Sequence, residues 1–323
     1  MMITDMLIAL GGLAGLFVGG EWLVRASSRL AASFGMSPLV IGLTIVAFGT
    51  STPELAVSLN AALGGVSDIA IGNVIGSNIA NIGLILGVGG LIAVIPVHVI
   101  LIRREIPLMI GMSVVVFLMA LDGEIGRLEG GALFAGLLSF NAYLLLEGRR
   151  EHPPLADERK MAEIEGSVGR ISRGREMGRL VAGLALLLAG AHFTVEGAVA
   201  IARGVGVSEL VIGITLVAVG TSLPELVTSV VAALRSEPEI AVGNIIGSNM
   251  FNLACILALT AIVRPVPVSS GLIQIELPVM LGFSALLLPF VLDQKLQRWQ
   301  ALIFLALYAG FIIYMASAQP SLR

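Results

Sequence analysis

The stretch TIVAFGTSTPE, Thr44–Glu54, decides how this chain reads. It begins as a plain apolar helix. Its last six residues then bring a glycine, three hydroxyls, a proline and a carboxylate. Each is costly or disruptive in hydrocarbon. A near copy, TLVAVGTSLPE, stands at Thr215–Glu225.

The surroundings show why hydrocarbon is the right reference. Of 323 residues, 57% are hydrophobic and 13% charged. A soluble domain carries about 25% charged residues. This chain cannot cover a water-exposed globule and reads as an all-α integral membrane protein. Its 39 glycines suit close helix contacts. A span needs about 20 apolar residues, which predicts ten transmembrane helices: 3–31, 37–63, 68–94, 105–121, 128–148, 177–203, 208–234, 239–263, 274–292 and 298–317. The runs lack the period-two alternation of a membrane barrel. The first reads as a retained helix, since no basic segment or cleavage site frames it. The single cysteine, Cys255, lies in an apolar run and reads as a small core residue.

Residues 149–176 are polar, with adjacent prolines and both signs of charge. They read as a linker between a first half, 1–148, and a second, 177–323. Placed on alternate faces, 15 of the 19 Lys and Arg fall on the linker side. Basic loops stay cytoplasmic, so the linker is expected there and both termini outside, in a cell membrane.

An offset of 171 residues relates the halves. It aligns Gly42 with Gly213, Pro53 with Pro224, Glu54 with Glu225, Asn81 with Asn252 and Tyr143 with Tyr314. More than half of residues 37–87 are identical to their partners. Five crossings per half is odd, so the second copy must insert upside down. Inverted repeats, with sites on discontinuous helices near the midplane, characterise secondary transporters. The second, third, seventh and eighth spans are the ones expected to be discontinuous.

The repeated stretch carries the chemistry. A carboxylate at mid-membrane costs roughly 2.5–3.5 kcal/mol on insertion scales. Glu54 and Glu225 have no Lys or Arg in their own helix cores, so a bound cation or proton is the expected neutraliser. Pro53 and Pro224 lack an N–H and clash one turn back. The breaks expose carbonyls around Ala47 to Thr50 and Ala218 to Thr221, beside the hydroxyls of Thr50, Ser51, Thr221 and Ser222. The following spans hold GNVIGSNIAN, Gly72–Asn81, and GNIIGSNMFN, Gly243–Asn252. Helical spacing puts Ser77 and Asn81 on one face with Asn73 above, and repeats this with Ser248, Asn252 and Asn244. Such an all-oxygen set suits Ca²⁺, and the lack of His and Cys argues against Zn or Cu. The glycine spacing Gly72–Gly76 reads first as helix packing.

Other polar residues read more plainly. Glu21 with Arg25, and His192 with Glu196, are spaced for local pairs. Glu105 and Glu276 are expected in first helical turns, favoured by the dipole. Asp122 and Asp293 read as solvated helix ends, and His98 and His152 as surface or packing residues. No phosphate loop, Ser/His/Asp grouping or H-E-x-x-H occurs, so no enzyme is expected.

Two copies of GTS-x-PE, each followed by GN-x-x-GSN-x-x-N, resemble the α-repeats of the sodium/calcium exchanger family of the cation/calcium exchanger superfamily. The short linker is similar to that of prokaryotic members. The resemblance implies Ca²⁺ binding by Glu54 and Glu225 with the carbonyls of Thr50 and Thr221. It implies Na⁺ binding by Ala47, Thr50, Ser51, Glu54, Ser77 and Asn81, and by Ala218, Thr221, Ser222, Glu225, Ser248 and Asn252. Several relatives carry Asp where Asn252 stands, which suggests K⁺ independence here. The expectation is a Na⁺/Ca²⁺ antiporter working by alternating access, a monomer with no cofactor and no nucleic-acid partner. Ca²⁺/H⁺ exchange on the same glutamates, and a Ca²⁺ channel, stay open as alternatives.

Overall fold

The computed structural model describes residues 2–147, 172–205 and 218–318. The linker expected at 149–176 lies outside them up to residue 171, and so do His152 and residues 208–217 of the expected seventh span.

Twelve described helices carry the fold. They are α1 Met2–Phe34, α2 Pro38–Thr50, α3 Thr52–Leu63, α4 Ser67–Ile92, α5 Leu101–Asp122, α6 Arg127–Glu147, α7 Arg173–Gly204, α8 Ala218–Thr221, α9 Leu223–Leu234, α10 Pro238–Val263, α11 Leu272–Phe290 and α12 Arg298–Ala318. Among the described residues eight helices are long and apolar enough to cross a membrane, and α2 with α3 adds a ninth as a bent pair. The chain is a multi-pass membrane protein. The helix from Arg173 begins four residues before the second half was expected to start.

The sequence dictates where α2 starts and stops. Ser37 accepts a hydrogen bond from the Leu39 N–H at 3.1 Å, and Pro38 occupies the first turn. Pro53 then supplies no N–H to continue the ladder, and α3 leaves at 45° to α2. Ser51 sits at the corner with φ −82° and ψ 9°. Ser222 occupies the same conformation, φ −89° and ψ 6°, between α8 and α9.

The third and eighth spans differ from expectation. α4 and α10 are each one uninterrupted helix. Neither has a proline in its interior. Instead each widens into a π-helical turn, Asn81–Leu86 in α4 and Asn252–Leu257 in α10. Such turns are rare and frequent at functional sites.

Burial places these two helices at the centre. The apolar windows of α4 and α10 are 72% and 89% buried, against 17% for α1 and 22% for α7. α1 and α7 pack on each other backbone to backbone along a glycine stripe. A Cβ on Gly19 would lie 2.5 Å from the Leu187 nitrogen, and one on Gly183 2.8 Å from that of Leu23.

Two short antiparallel ribbons, which helical periodicity gave no sign of, tie the halves together. β1, Ile95–Pro96, pairs with β4, Lys295–Leu296. β2, Glu124–Ile125, pairs with β3, Val266–Pro267. The 171-residue offset carries β1 onto β3 and β2 onto β4, so each ribbon joins one half to the other.

Candidate cation site

The two proline breaks do more than bend helices. Each puts a glutamate in the first turn of a new helix, Glu54 in α3 and Glu225 in α9. A helix N-terminus favours an anion, typically by about 0.3–1 kcal/mol. Both carboxylates are 1% exposed. Among the described residues neither has a basic partner.

The halves cross at this point. Ser51 donates its hydroxyl to Oε1 of Glu225 at 3.0 Å, and Ser222 donates to Oε1 of Glu54 at 3.4 Å. The serine at each corner thus serves the other half's glutamate. Oε2 of Glu54 and Oε2 of Glu225 are buried with no hydrogen-bond partner. α3 packs on the π turn that starts at Asn252, and α9 on the one that starts at Asn81. The side-chain oxygens of Asn81, Asn252 and Ser248 are likewise buried without a partner. Leaving buried polar atoms unpaired costs about 1–3 kcal/mol each. Five unpaired oxygens on elements packed around one centre form a donor set suited to a hard cation.

Other expected residues hold this set in place. Thr50 donates to Oδ1 of Asn244 at 3.0 Å, joining α2 to α10. Asn244 donates to the Glu225 carbonyl at 3.5 Å and to Ser229 at 3.3 Å. Asn73 mirrors it, donating to the Glu54 carbonyl at 3.1 Å and to Ser58 at 2.9 Å. Asn73 and Asn244 therefore lock the glutamate helices through their amide nitrogens, and the Asn244 oxygen is already taken by Thr50. The Ala47 carbonyl is not bare, since it accepts the Ser51 N–H at 3.1 Å. Thr52 bonds back to the Phe48 carbonyl at 3.1 Å, on the exposed side. Ser77 is buried and Thr221 half-buried. Ala218 is the first described residue of α8, and its side chain lies outside the described residues.

Sequence reasoning passed over Asn78 and Asn249. Asn81 donates to Oδ1 of Asn249 at 2.9 Å, and Asn252 to Oδ1 of Asn78 at 3.0 Å. The signal was present: both asparagines belong to GSN, and the 171-residue offset relates them.

Glu105 and Glu276 need correction. They close the π-helical segments Leu101–Glu105 and Leu272–Glu276 instead of opening helices. Glu105 is fully buried and pairs with Arg104 at 2.7 Å, because a basic residue precedes it where Ile275 precedes Glu276. The predicted local pairs form, Glu21–Arg25 at 2.6 Å and His192–Glu196 at 3.7 Å. Asp122 and Asp293 are exposed. His98 is partly exposed and faces Glu239 at 3.5 Å.

Paired carboxylates without a base among the described residues, with neutral oxygens on the elements around them at the centre of a multi-pass bundle, are the arrangement expected of a membrane protein that handles cations. The chain belongs to the sodium/calcium exchanger family: the model for "Sodium/calcium exchanger protein" matches residues 4–146 and 176–316. It is 34% identical to the sodium/calcium exchanger MaX1 of Methanosarcina acetivorans, covering 98% of this chain and 99% of that one. It is 35% identical to the inner membrane protein YrbG of Escherichia coli, over 98% and 96%. Among solved structures it resembles the sodium-calcium exchanger NCX_Mj soaked with zero Na⁺ and Ca²⁺. That match has a TM-score of 0.84 and 34% identity, and covers 99% of this chain and 100% of that one.

Proposed function

We propose that this protein exchanges Na⁺ for Ca²⁺ across a cell membrane by alternating access. The supporting observation is the crossed pair Ser51–Glu225 and Ser222–Glu54, buried, free of any base among the described residues, and with one unpaired oxygen on each carboxylate. The ionised pair carries a charge near −2, which one Ca²⁺ or two Na⁺ neutralise. Both ions compete for the same oxygens, so one must leave before the other binds. The empty, doubly negative site resists crossing, which couples the two fluxes.

In this reading Ca²⁺ is held by Glu54, Glu225 and the Thr50 and Thr221 carbonyls. Na⁺ uses these glutamates with Ala47, Thr50, Ser51, Ser77, Asn81 and their counterparts Ala218, Thr221, Ser222, Ser248 and Asn252. The architecture is ten spans in two inverted five-helix repeats. The linker is cytoplasmic, both termini are outside, and the monomer is the working unit. The long glycine-seamed pair α1 and α7 slides against the rest to open each side.

The test is ⁴⁵Ca²⁺ uptake into proteoliposomes loaded with Na⁺, K⁺ or H⁺ in separate arms. Uptake driven by an outward Na⁺ gradient alone supports the proposal. Uptake driven by a pH gradient without Na⁺ replaces it with Ca²⁺/H⁺ exchange, and single-channel currents replace it with a channel.

A further inference from the structure

The unpaired oxygens of Asn81 and Asn252 pose a question of direction. An amide side chain has an accepting end and a donating end, and only matched partners fix which way it points. The structure supplies such partners through two methionines remote from the repeated motifs.

Asn249 donates its Nδ2 to Sδ of Met109 at 3.5 Å. Asn78 donates its Nδ2 to Sδ of Met280 at 3.7 Å and to the Asn249 carbonyl at 3.4 Å. A thioether can accept and cannot donate. The nitrogen of Asn249 must therefore face Met109, which aims its oxygen at Asn81. Asn81 meets that oxygen with Nδ2 at 2.9 Å, so its own Oδ1 points elsewhere and stays unpaired. The second chain runs the same way from Met280, here joined by the Asn249 carbonyl, through Asn78 to Asn252, at 3.0 Å, ending on the unpaired Oδ1 of Asn252. Turning Asn249 over would set oxygen against sulfur and nitrogen against nitrogen. Asn81 would then have to rotate and lose its free oxygen.

We propose that Met109 and Met280 are positioning residues: Met109, and Met280 together with the Asn249 carbonyl, fix the directions of two crossed amide relays that present the Asn81 and Asn252 oxygens to the transported cation. The inference rests on the exchange reading for the identity of that cation. The 171-residue offset relates Met109 to Met280 and Asn78 to Asn249, so the device occurs once per half. All six side chains are at most 1% exposed. Each relay alternates between halves, from α5 to α10 to α4 and from α11 to α4 to α10, and so couples the two π turns. A hydroxyl in place of the sulfur could rotate and donate, and would lose this directional control.

The experiment uses the full chain with Met109→Leu, Met280→Leu and the double variant, plus Met112→Leu on the same helix as control. Leu for Met conserves volume and removes the acceptor. Two quantities are read: the melting temperature without cations, and the Na⁺ and Ca²⁺ concentrations giving half-maximal protection against thermal unfolding. The relay predicts that half-maximal concentrations rise about threefold in Met109→Leu, less in Met280→Leu, where Asn78 keeps the Asn249 carbonyl as acceptor, and most in the double. The cation-free melting temperature stays near wild type, and Met112→Leu changes neither. Equal half-maximal concentrations in the double variant and wild type overturn the relay. A lower cation-free melting temperature with unshifted half-maximal concentrations also overturns it, since that is core packing alone. If Na⁺ protects no form of the protein, Na⁺ exchange is overturned, and the relay stands or falls on the Ca²⁺ shifts.

Discussion

Ser51 donates its hydroxyl to Glu225 at 3.0 Å, across the centre and 174 residues away in sequence. The mirror contact, Ser222 to Glu54, is longer at 3.4 Å. Each serine sits at a proline-made corner, so the break in one half supports the charge of the other.

That inequality predicts a ranking. A hydrogen bond to a charged group contributes about 1.5–3 kcal/mol. Ser51→Ala should raise the half-saturating Na⁺ concentration about tenfold or more, and Ser222→Ala should raise it less. Na⁺ titrations of ⁴⁵Ca²⁺ flux in both variants check the order, and equal shifts would count against the crossed pairing.

Pro53 breaks the span at 45° and places Glu54 in a first turn. Pro53→Ala restores an N–H and removes the ring clash. The helix should straighten and the protein should melt no lower than wild type. Flux should nevertheless fall on the order of a hundredfold, since displacing a positioned group by about 1 Å has that effect. Paired melting and flux measurements check both.

The α1–α7 seam has no room for a side chain at Gly12, Gly19, Gly183 or Gly190. A Cβ on Gly190 would lie 2.4 Å from the Leu16 nitrogen, whereas one on Gly11 meets nothing within 4 Å. Gly190→Leu should destabilise by about 1–3 kcal/mol or more. Gly11→Leu should stay within about 0.5 kcal/mol of wild type. Detergent melting curves of the two decide it.

Arg235, at the end of α9, reaches Glu21 of α1, with Nε 2.8 Å from Oε2. The offset replaces these two by Gly64 and His192, so this bridge between the halves has no symmetry-related counterpart. Sliding of α1 must break it. Partly exposed pairs contribute about 0.2–1 kcal/mol, so Arg235→Gln should change the flux rate by no more than about fivefold. The difference should vanish in high choline chloride, which screens the pair.

The sequence made nine spans among the described residues, the bend at Pro53 and the burial of both glutamates legible, because periodicity, proline and membrane insertion cost act locally. It also marked Ser51, Ser222, Asn81 and Asn252, because duplication repeats their spacing. Contacts between the halves were not legible. Asn78 and Asn249 look like ordinary polar neighbours until α4 and α10 are packed together. Met109 and Met280 look like any apolar helix residue. The π turns leave no mark on apolar periodicity, so the third and eighth spans read as broken rather than widened. Glu105 fits a dipole argument, and only the fold shows it buried beside Arg104.

The central claim is that Glu54 and Glu225 form one cation site that Na⁺ and Ca²⁺ occupy in turn. It is tested most directly by Na⁺-gradient-driven ⁴⁵Ca²⁺ uptake in proteoliposomes, comparing wild type with Glu54→Gln and Glu225→Gln. The account predicts uptake in wild type, collapsing when the Na⁺ gradient is dissipated, and loss to background in each variant. Uptake that persists in either variant would contradict it.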